Sequence, residues 1–146
     1  TPAAIGKGMT LIHPECCKPE LVDEFETIMA QSGRFDRIGE NLADAAGAAS
    51  GCVPAFAYLF MEGLADGAVM AGVPRQKAMT YVAQAVLGAA SLVLESGQHP
   101  GALKDAVCSP GGSTIVGVSK LEEGGLRSAC IQAVAGSAEK NKQLGK

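Results

Sequence analysis

The chain has 146 residues, enough for one ordinary domain with a fragment of another but too few for two complete domains. Its 12 basic and 15 acidic residues give a net charge of −3, and no run of Lys or Arg is long enough to follow a phosphate backbone, so nucleic acid is not expected as a partner. Charged residues make up only 18% of the chain, against roughly 25% in a typical soluble domain. The chain is therefore expected to bury more surface than a small monomer can.

The first 40 residues are predicted to form a strand, a helix and a second strand. Met9–His13 is a short apolar run typical of a strand. A helix is expected from Pro19, with Gly33 as its C-cap, because apolar residues fall on one face at Leu21, Phe25, Ile28 and Met29. Arg34–Gly39 is the predicted return strand, which completes a βαβ-like fragment.

The composition then changes to that of an all-helical region. From Ala45 to Val93 only four residues are charged, and two long helices are predicted at Pro54–Gly72 and Pro74–Gly97, with Pro at each start and Gly past each end. Their many Ala and Gly residues allow close packing, most simply against a second copy of the chain. Shorter helices are expected at Pro100–Val107, at Thr114–Glu123 and from Leu126 into the polar tail 139–146.

The predicted fold is therefore mainly α, with a boundary at residue 40 between the βαβ-like fragment, 1–40, and a helical domain, 41–146. The uncharged stretches 45–61 and 78–94 reach the lower limit of a membrane span. Their Gly, Ser, Thr and Gln residues favour buried helices of a soluble protein, so no membrane partner is expected.

Cysteine usage indicates a reduced, cytoplasmic protein. The 5 cysteines include the adjacent Cys16 and Cys17 but no C-x-x-C spacing. His13 with these two thiols could form half a metal site, but no second cluster completes it, so no metal is expected. The N-terminal residues also lack the basic and apolar regions of a signal peptide.

The segment Cys108–Thr114, C-S-P-G-G-S-T, is the strongest candidate for a binding site. Its two adjacent glycines remove Cβ atoms, and the helix that follows offers free N–H groups, so a small anion such as a carboxylate could bind there without Arg or Lys. Hydroxyl groups at Ser109, Ser113 and Thr114 add donors and acceptors. The alternative is an ordinary turn closed by a Ser/Thr cap.

Two other groups of polar residues are weaker candidates. His99, beside Pro100, is interpreted as a turn residue and a poor catalytic base, because no nucleophile or metal ligand accompanies it. Glu62 and Asp66 lie at i and i+4 on a helix and could form an acid–base pair. The preferred interpretation is that they bond to neighbouring helix ends or reach solvent.

Several sequence blocks resemble pyrroline-5-carboxylate reductase, and together they span almost the whole chain. The blocks are T-P-A-A-I-G-K-G-M-T at 1–10, S-G-C-V-P-A-F at 50–56, E-G-L-A-D-G at 62–67, L-E-S-G-Q-H-P-G-A-L-K-D at 94–105, V-C-S-P-G-G-S-T-I at 107–115 and L-E-E-G-G at 121–125. The close pair of H-P-G-x-L-K-D and S-P-G-G-[ST]-T is highly specific for this family.

The resemblance implies an NAD(P)H-dependent enzyme of proline biosynthesis, with a Rossmann domain followed by a helical domain whose long helices intertwine with those of a partner subunit. It implies that Ser109, Gly111, Gly112 and Ser113 form the substrate loop, with Thr114 bonded to the substrate's ring nitrogen. It also implies that Pro54 lies near the cofactor.

The chain lacks the glycine-rich dinucleotide fingerprint, so NADPH or NADH would bind tightly only to the full-length enzyme. A homodimer is expected, with a higher homo-oligomer of dimers as a further possibility. Val53 stands where the family usually has Gly, which would restrict the backbone and add bulk near the nicotinamide. Two alternatives remain open: a related reductase of another small imine or 2-oxo acid, and a non-catalytic helical oligomerisation module.

Overall fold

Two parallel strands joined by a helix form the sheet of this chain. The computed structural model describes residues 2–145, without the side chain of Cys16. Strands β1 (Gly8–Ile12) and β2 (Gly33–Arg37) pair in parallel, and helix α1 (Pro19–Ile28) makes the crossover that parallel strands require. The rings of Phe25 and Phe35 meet edge to face with centroids 6.1 Å apart, which packs α1 on the sheet. The predicted strand–helix–strand order is confirmed.

The prediction that Gly33 caps α1 is wrong. The C-cap is Met29, whose N–H donates to the carbonyl of Phe25 at 2.9 Å. Gly33 instead begins β2 with φ 140°, and a Cβ there would collide with the main chain of Gly8 on β1. The close approach of the two strands requires this glycine, rather than the end of a helix.

The helix predicted to begin near Pro54 starts earlier. Helix α2 (Ala43–Gly47) continues through a π-helical turn, Ala48–Cys52, into helix α3 (Val53–Met70). Proline has no N–H, and in a continuous α-helix its ring would clash with the carbonyl four residues back. The wider π turn removes that clash, which explains its position immediately before Pro54.

Proline and glycine set the ends of the next helix as predicted. Helix α4 (Arg75–Ser96) begins after Pro74 and ends at Gly97, which has φ 65° and donates its N–H to the carbonyl of Val93 at 3.2 Å. The later helices also lie within one or two residues of their predicted bounds: α5 (Pro100–Ala106), α6 (Ser113–Glu123) and α7 (Leu126–Leu144).

The described residues form two compact units. The first runs as far as Phe56 and resumes at Cys130, and it contains the sheet, α1, α2 and the π turn. The second, Ala57–Ala129, contains most of α3 together with α4, α5 and α6.

Few apolar side chains are buried in the isolated chain. Within residues 2–145 the buried ones are Val22, Ala48, Ala65 and Ala78, whereas Leu59 is 72% and Met70 is 90% exposed. By length and composition the segments Glu40–Met70 and Arg75–Ser96 are apolar enough to cross a membrane, and their most apolar windows are only 11% and 6% buried. Exposed apolar surface of this extent is typical of helices that contact a partner subunit or a membrane.

Candidate functional site

The C-S-P-G-G-S-T segment forms a tight turn that leads directly into α6. The N–H of Gly112 donates to the carbonyl of Ser109 at 3.0 Å, which leaves Pro110 and Gly111 at the two central positions. Gly111 has φ 68°. A type II turn requires such a positive φ at its second central position, and a side chain there would be strained. The positive φ therefore explains why residue 111 is a glycine.

Limited space explains why residue 112 is also a glycine. A Cβ at Gly112 would collide with the Oγ of Ser109 and lie 3.2 Å from the carbonyl oxygen of the same residue. The Ser109 hydroxyl thus lies directly over Gly112, where α6 begins. A larger residue at this position would have to displace that hydroxyl.

Helix α6 begins without a side-chain cap. Its N-cap is Gly112, and Ser113 and Thr114 are its first two residues. Amides in the first turn of a helix have no carbonyl partner within the helix, whereas the Gly112 amide is already used in the preceding turn. The amides of Ser113 and Thr114, at the positive end of the helix dipole, are therefore among the donors available to an anion.

The Thr114 side chain is not part of a cap. The capping position belongs to Gly112, and the exposed Thr114 hydroxyl forms no hydrogen bond within the described part of the chain. Of the alternative interpretation, the turn is therefore present, but the Ser/Thr cap is not. The structure brings Ser109, Gly111, Gly112, Ser113 and Thr114 together in one turn and the start of one helix.

His99 is the cap of α5. Its Nδ1 accepts a hydrogen bond from the N–H of Gly101 at 3.0 Å, and Pro100 occupies the first helical position. A Cβ at Gly101 would lie only 2.9 Å from that Nδ1. The H-P-G motif thus has a structural explanation, and the interpretation of His99 as a turn residue is confirmed.

Lys104 places a positive charge just upstream of the turn. Its Nζ lies 2.5 Å from the Oδ1 of Asp105. The hydrogen bond to Asp105 and then the charge of Asp105 raise the pKa of Lys104, with a smaller contribution from Cys108, while partial burial and the charge of Arg127 oppose the rise. Lys104 is therefore protonated at neutral pH, and its positive charge is paired with the carboxylate of Asp105.

The two carboxylates on α3 do not act as a pair. Asp66 bonds to the guanidinium of Arg75, at the start of α4. Glu62 lines an open, mainly apolar depression of about 480 Å³ together with Tyr58, Leu59, Met61 and Met79. The preferred interpretation, in which a carboxylate bonds to a neighbouring helix end, is confirmed for Asp66.

Pro54 lies in the first unit, whereas the turn from Ser109 to Gly112 lies in the second. The preceding residue, Val53, has φ −55° and ψ −34°, an ordinary helical conformation. A branched side chain adopts this conformation without strain. The expected bulk of Val53 near the nicotinamide stays a prediction. The π turn itself was not predicted, although proline inside a continuous helical pattern was the signal for a local break.

The segment around His13 shows one long polar contact. Its Nε2 lies 3.9 Å from the Oε2 of Glu15. Cys17 is an exposed free thiol, and the side chain of Cys16 falls outside the described residues. Within residues 2–145 no group of three or more His, Cys, Asp or Glu side chains could hold a metal ion.

Comparison with known proteins gives one family. The family model described as pyrroline-5-carboxylate reductase dimerisation matches residues 40–144. The pyrroline-5-carboxylate reductase of Escherichia coli (strain K12) is 44% identical, over 100% of this chain and 55% of that protein. The enzyme of the same name from Methanosarcina acetivorans is 46% identical, over 98% of this chain and 50% of that protein.

A solved structure has the same fold over this region. The crystal structure of Plasmodium falciparum pyrroline carboxylate reductase with NADP bound is similar with a TM-score of 0.91 and 33% identity, over 99% of this chain and 59% of that one. The chain spans about half the length of the curated relatives it matches. Because the family model covers more than half of the residues, this chain belongs to the pyrroline-5-carboxylate reductase dimerisation family.

Proposed function

We propose that this chain is the dimerisation and substrate-binding part of an enzyme that reduces 1-pyrroline-5-carboxylate to L-proline with NADPH or NADH. Residues 1–40 would be the end of the dinucleotide-binding domain, and residues 41–146 the helical domain. The start of the family match at residue 40 supports this division. The parallel β1–α1–β2 unit also supports it, because such units build dinucleotide-binding domains.

The uncapped start of α6 is the observation that carries the proposal. The substrate has a carboxylate, and the amides of Ser113 and Thr114 at the end of a helix dipole are suited to bind one. Gly111 and Gly112 keep the approach free of side chains, and the Ser109 hydroxyl lies beside it. These five residues are the proposed substrate site.

Thr114 is the proposed catalytic residue. A bound reduced nicotinamide would supply the hydride to the carbon of the C=N bond, and a proton from solvent would complete the N–H bond of the ring nitrogen. The hydroxyl of Thr114, which has no partner in the described chain, hydrogen-bonds to that nitrogen and orients it. No protein nucleophile is required, since positioning provides most of the rate enhancement.

The cofactor's phosphates do not fit this chain. The crossover helix α1 begins after Lys18 with Glu20 in its first turn and has no glycine-rich turn before it. An acidic residue at a helix N-terminus repels pyrophosphate. We therefore infer that the chain alone does not bind the dinucleotide tightly. From the resemblance to the family, we also propose that Pro54 lies beside the nicotinamide in the full-length enzyme.

A second copy of the chain is the proposed cover for the exposed helices α3 and α4. Their apolar residues, such as Leu59 and Met70, lie open to solvent in the isolated chain. Interlocking of these helices with those of a partner would bury them, and dimers could assemble further into a higher homo-oligomer. On this proposal neither helix spans a membrane, and the protein is cytoplasmic.

An activity assay of the full-length protein tests this function. We expect oxidation of NADPH or NADH that depends on 1-pyrroline-5-carboxylate, with proline as the product. Oxidation with only another small imine or 2-oxo acid would identify a related reductase instead. A dimeric protein that consumes none of these substrates would be a non-catalytic oligomerisation module.

A further inference from the structure

Asn141, near the end of α7, makes a hydrogen bond to a residue 97 positions earlier. Its Nδ2 donates to the main-chain carbonyl of Asp44 at 3.1 Å. Both residues belong to the first unit, and both are half-buried. The bond therefore ties the C-terminal helix to the beginning of α2.

The side chain of Asn141 lies against the small residues of α2. A Cβ added at Gly47 would be 3.7 Å from its Nδ2, an ordinary contact distance. Ala48, the next residue, is completely buried and is the first residue of the π turn. The contact with α7 thus lies one residue before the point where the helix widens.

The π turn lacks a main-chain hydrogen bond that the contact with Asn141 can compensate. Pro54 contributes no N–H to the helix, so one main-chain bond is missing where α3 begins. Within the turn, the Ser50 hydroxyl donates to the carbonyl of Ala46 at 2.8 Å, a local bond that can move with the helix. Asn141 instead anchors the same stretch to a different helix, which restricts its motion.

We propose that Asn141 is a positioning residue that holds the π turn, and through it Pro54, in the geometry that receives the nicotinamide. This inference rests on the proposed function, in which Pro54 lies beside the cofactor. The residue touches neither cofactor nor substrate. It acts by ordering the segment from Asp44 to Pro54 before the cofactor arrives.

Such a role predicts a specific kinetic effect. When a binding segment is disordered in the free protein, the free energy needed to order it weakens the ground-state complex and the transition state equally. The KM for the cofactor rises, whereas kcat stays the same. One neutral hydrogen bond corresponds to an approximately two- to tenfold change in an equilibrium constant.

The test compares two apolar substitutions on α7 in the full-length protein. Asn141→Leu removes the donor and keeps the number of side-chain heavy atoms and the branching. Gln143→Leu is the matched control, because within residues 2–145 its exposed amide hydrogen-bonds only to Glu139, one turn earlier, at 3.5 Å. Steady-state kinetics with both substrates and hydrogen exchange of the amides from Asp44 to Val53 are measured for each variant.

We expect Asn141→Leu to raise the KM for the nicotinamide cofactor about three- to tenfold, with kcat and the KM for 1-pyrroline-5-carboxylate within about twofold. Exchange in the segment should become faster, and Gln143→Leu should change neither. If the Leu variant does not fold, Asn141→Ser, which is smaller and polar but too short to reach the carbonyl of Asp44, takes its place. Unchanged cofactor KM in a folded variant overturns the inference, and so does a fall in kcat alone.

Failure of the proposed function gives a different result. If the unsubstituted full-length protein does not reduce 1-pyrroline-5-carboxylate, the reductase assignment is wrong, and the role of Asn141 in cofactor binding is overturned with it. If the unsubstituted protein is active and the two Leu variants have equal cofactor KM, only the role of Asn141 is wrong.

Discussion

The N–H of Gly112 donates to the carbonyl of Ser109 at 3.0 Å, and this turn determines where α6 begins. Because the Gly112 amide is used there, it is not available to a ligand. The next amides along the chain, those of Ser113 and Thr114, are then the first that can bind an anion. The geometry of the turn and the anion site are therefore coupled.

Gly111→Ala should destabilise the protein because Gly111 has φ 68°. Placing a Cβ in the left-handed region costs about 1–2 kcal/mol, so the free energy of unfolding should fall by that amount. Gly117→Ala is the control: it lies within α6 with open space around it, and should raise the free energy of unfolding by about 0.5–1 kcal/mol. Urea denaturation measures both, and equal stabilisation by the two changes would contradict the turn described above.

Thr114→Ala in the full-length enzyme should lower kcat/KM by about 10- to 100-fold, or roughly 1.4–2.7 kcal/mol of transition-state stabilisation. The free energy of unfolding should change little, because Gly112 and not Thr114 is the N-cap of α6. Thr114→Ser, which keeps the hydroxyl, is the control and should retain most of the activity. A destabilised Ala variant of normal kcat/KM would show that Thr114 stabilises the folded protein and has no part in catalysis.

Arg37 should stabilise the first unit in a pH-dependent manner. Its Nε lies 2.7 Å from the Oε1 of Glu26. This hydrogen bond lowers the pKa of Glu26, and the positive charge of Arg37 lowers it further. Burial of Glu26 and the negative charge of Asp23 oppose the shift. A carboxyl with a lowered folded-state pKa contributes stability above its unfolded value of about 4.3 and loses it as the pH falls through the folded value.

Arg37→Met should therefore lower the unfolding midpoint at pH 7, and the difference from the parent protein should shrink as the pH falls below about 4. Arg34→Met, an exposed change on the same strand, is the control for loss of one positive charge. Thermal unfolding followed by circular dichroism over pH 3–7 measures both. A difference for Arg37→Met that is independent of pH would exclude the ion pair as its cause.

The chain should be a homodimer at micromolar concentration, because α3 and α4 expose large apolar residues such as Leu59. Light scattering is expected to show twice the mass of one chain. Leu59→Glu should weaken the dimer because it places a charge in an apolar interface. Gln31→Glu, at an exposed polar position outside α3 and α4, adds the same charge and should leave the dimer intact. A well-folded monomeric parent chain would exclude the proposed interface.

Calorimetric titration of the isolated chain with NADPH should show no saturable binding at micromolar concentration. The chain has no glycine-rich turn before α1, and Glu20 lies in the first turn of that helix. The full-length protein, titrated under the same conditions, is the positive control. Saturable binding to the chain alone would place the phosphate site within these residues and contradict the assignment of residues 1–40.

Several elements could be read from local sequence signals. Pro74 and Gly97 marked the ends of α4, and Gly97 has the left-handed conformation that such an end requires. The S-P-G-G-S-T motif is likewise typical of a turn followed by a helix, because Pro110 and Gly111 suit the two central positions of a type II turn. These residues act on their own backbone, so no knowledge of distant neighbours was needed.

The structural roles of other residues depend on contacts between segments that are distant in the sequence. Gly33 had the same local appearance as a helix cap, but its partner is Gly8, which the parallel sheet brings opposite. Asn141 is an ordinary polar residue of a C-terminal helix until the fold places it beside Asp44. Local backbone preferences carry no information about which distant segments meet, so contacts of this kind follow from packing and not from composition or spacing.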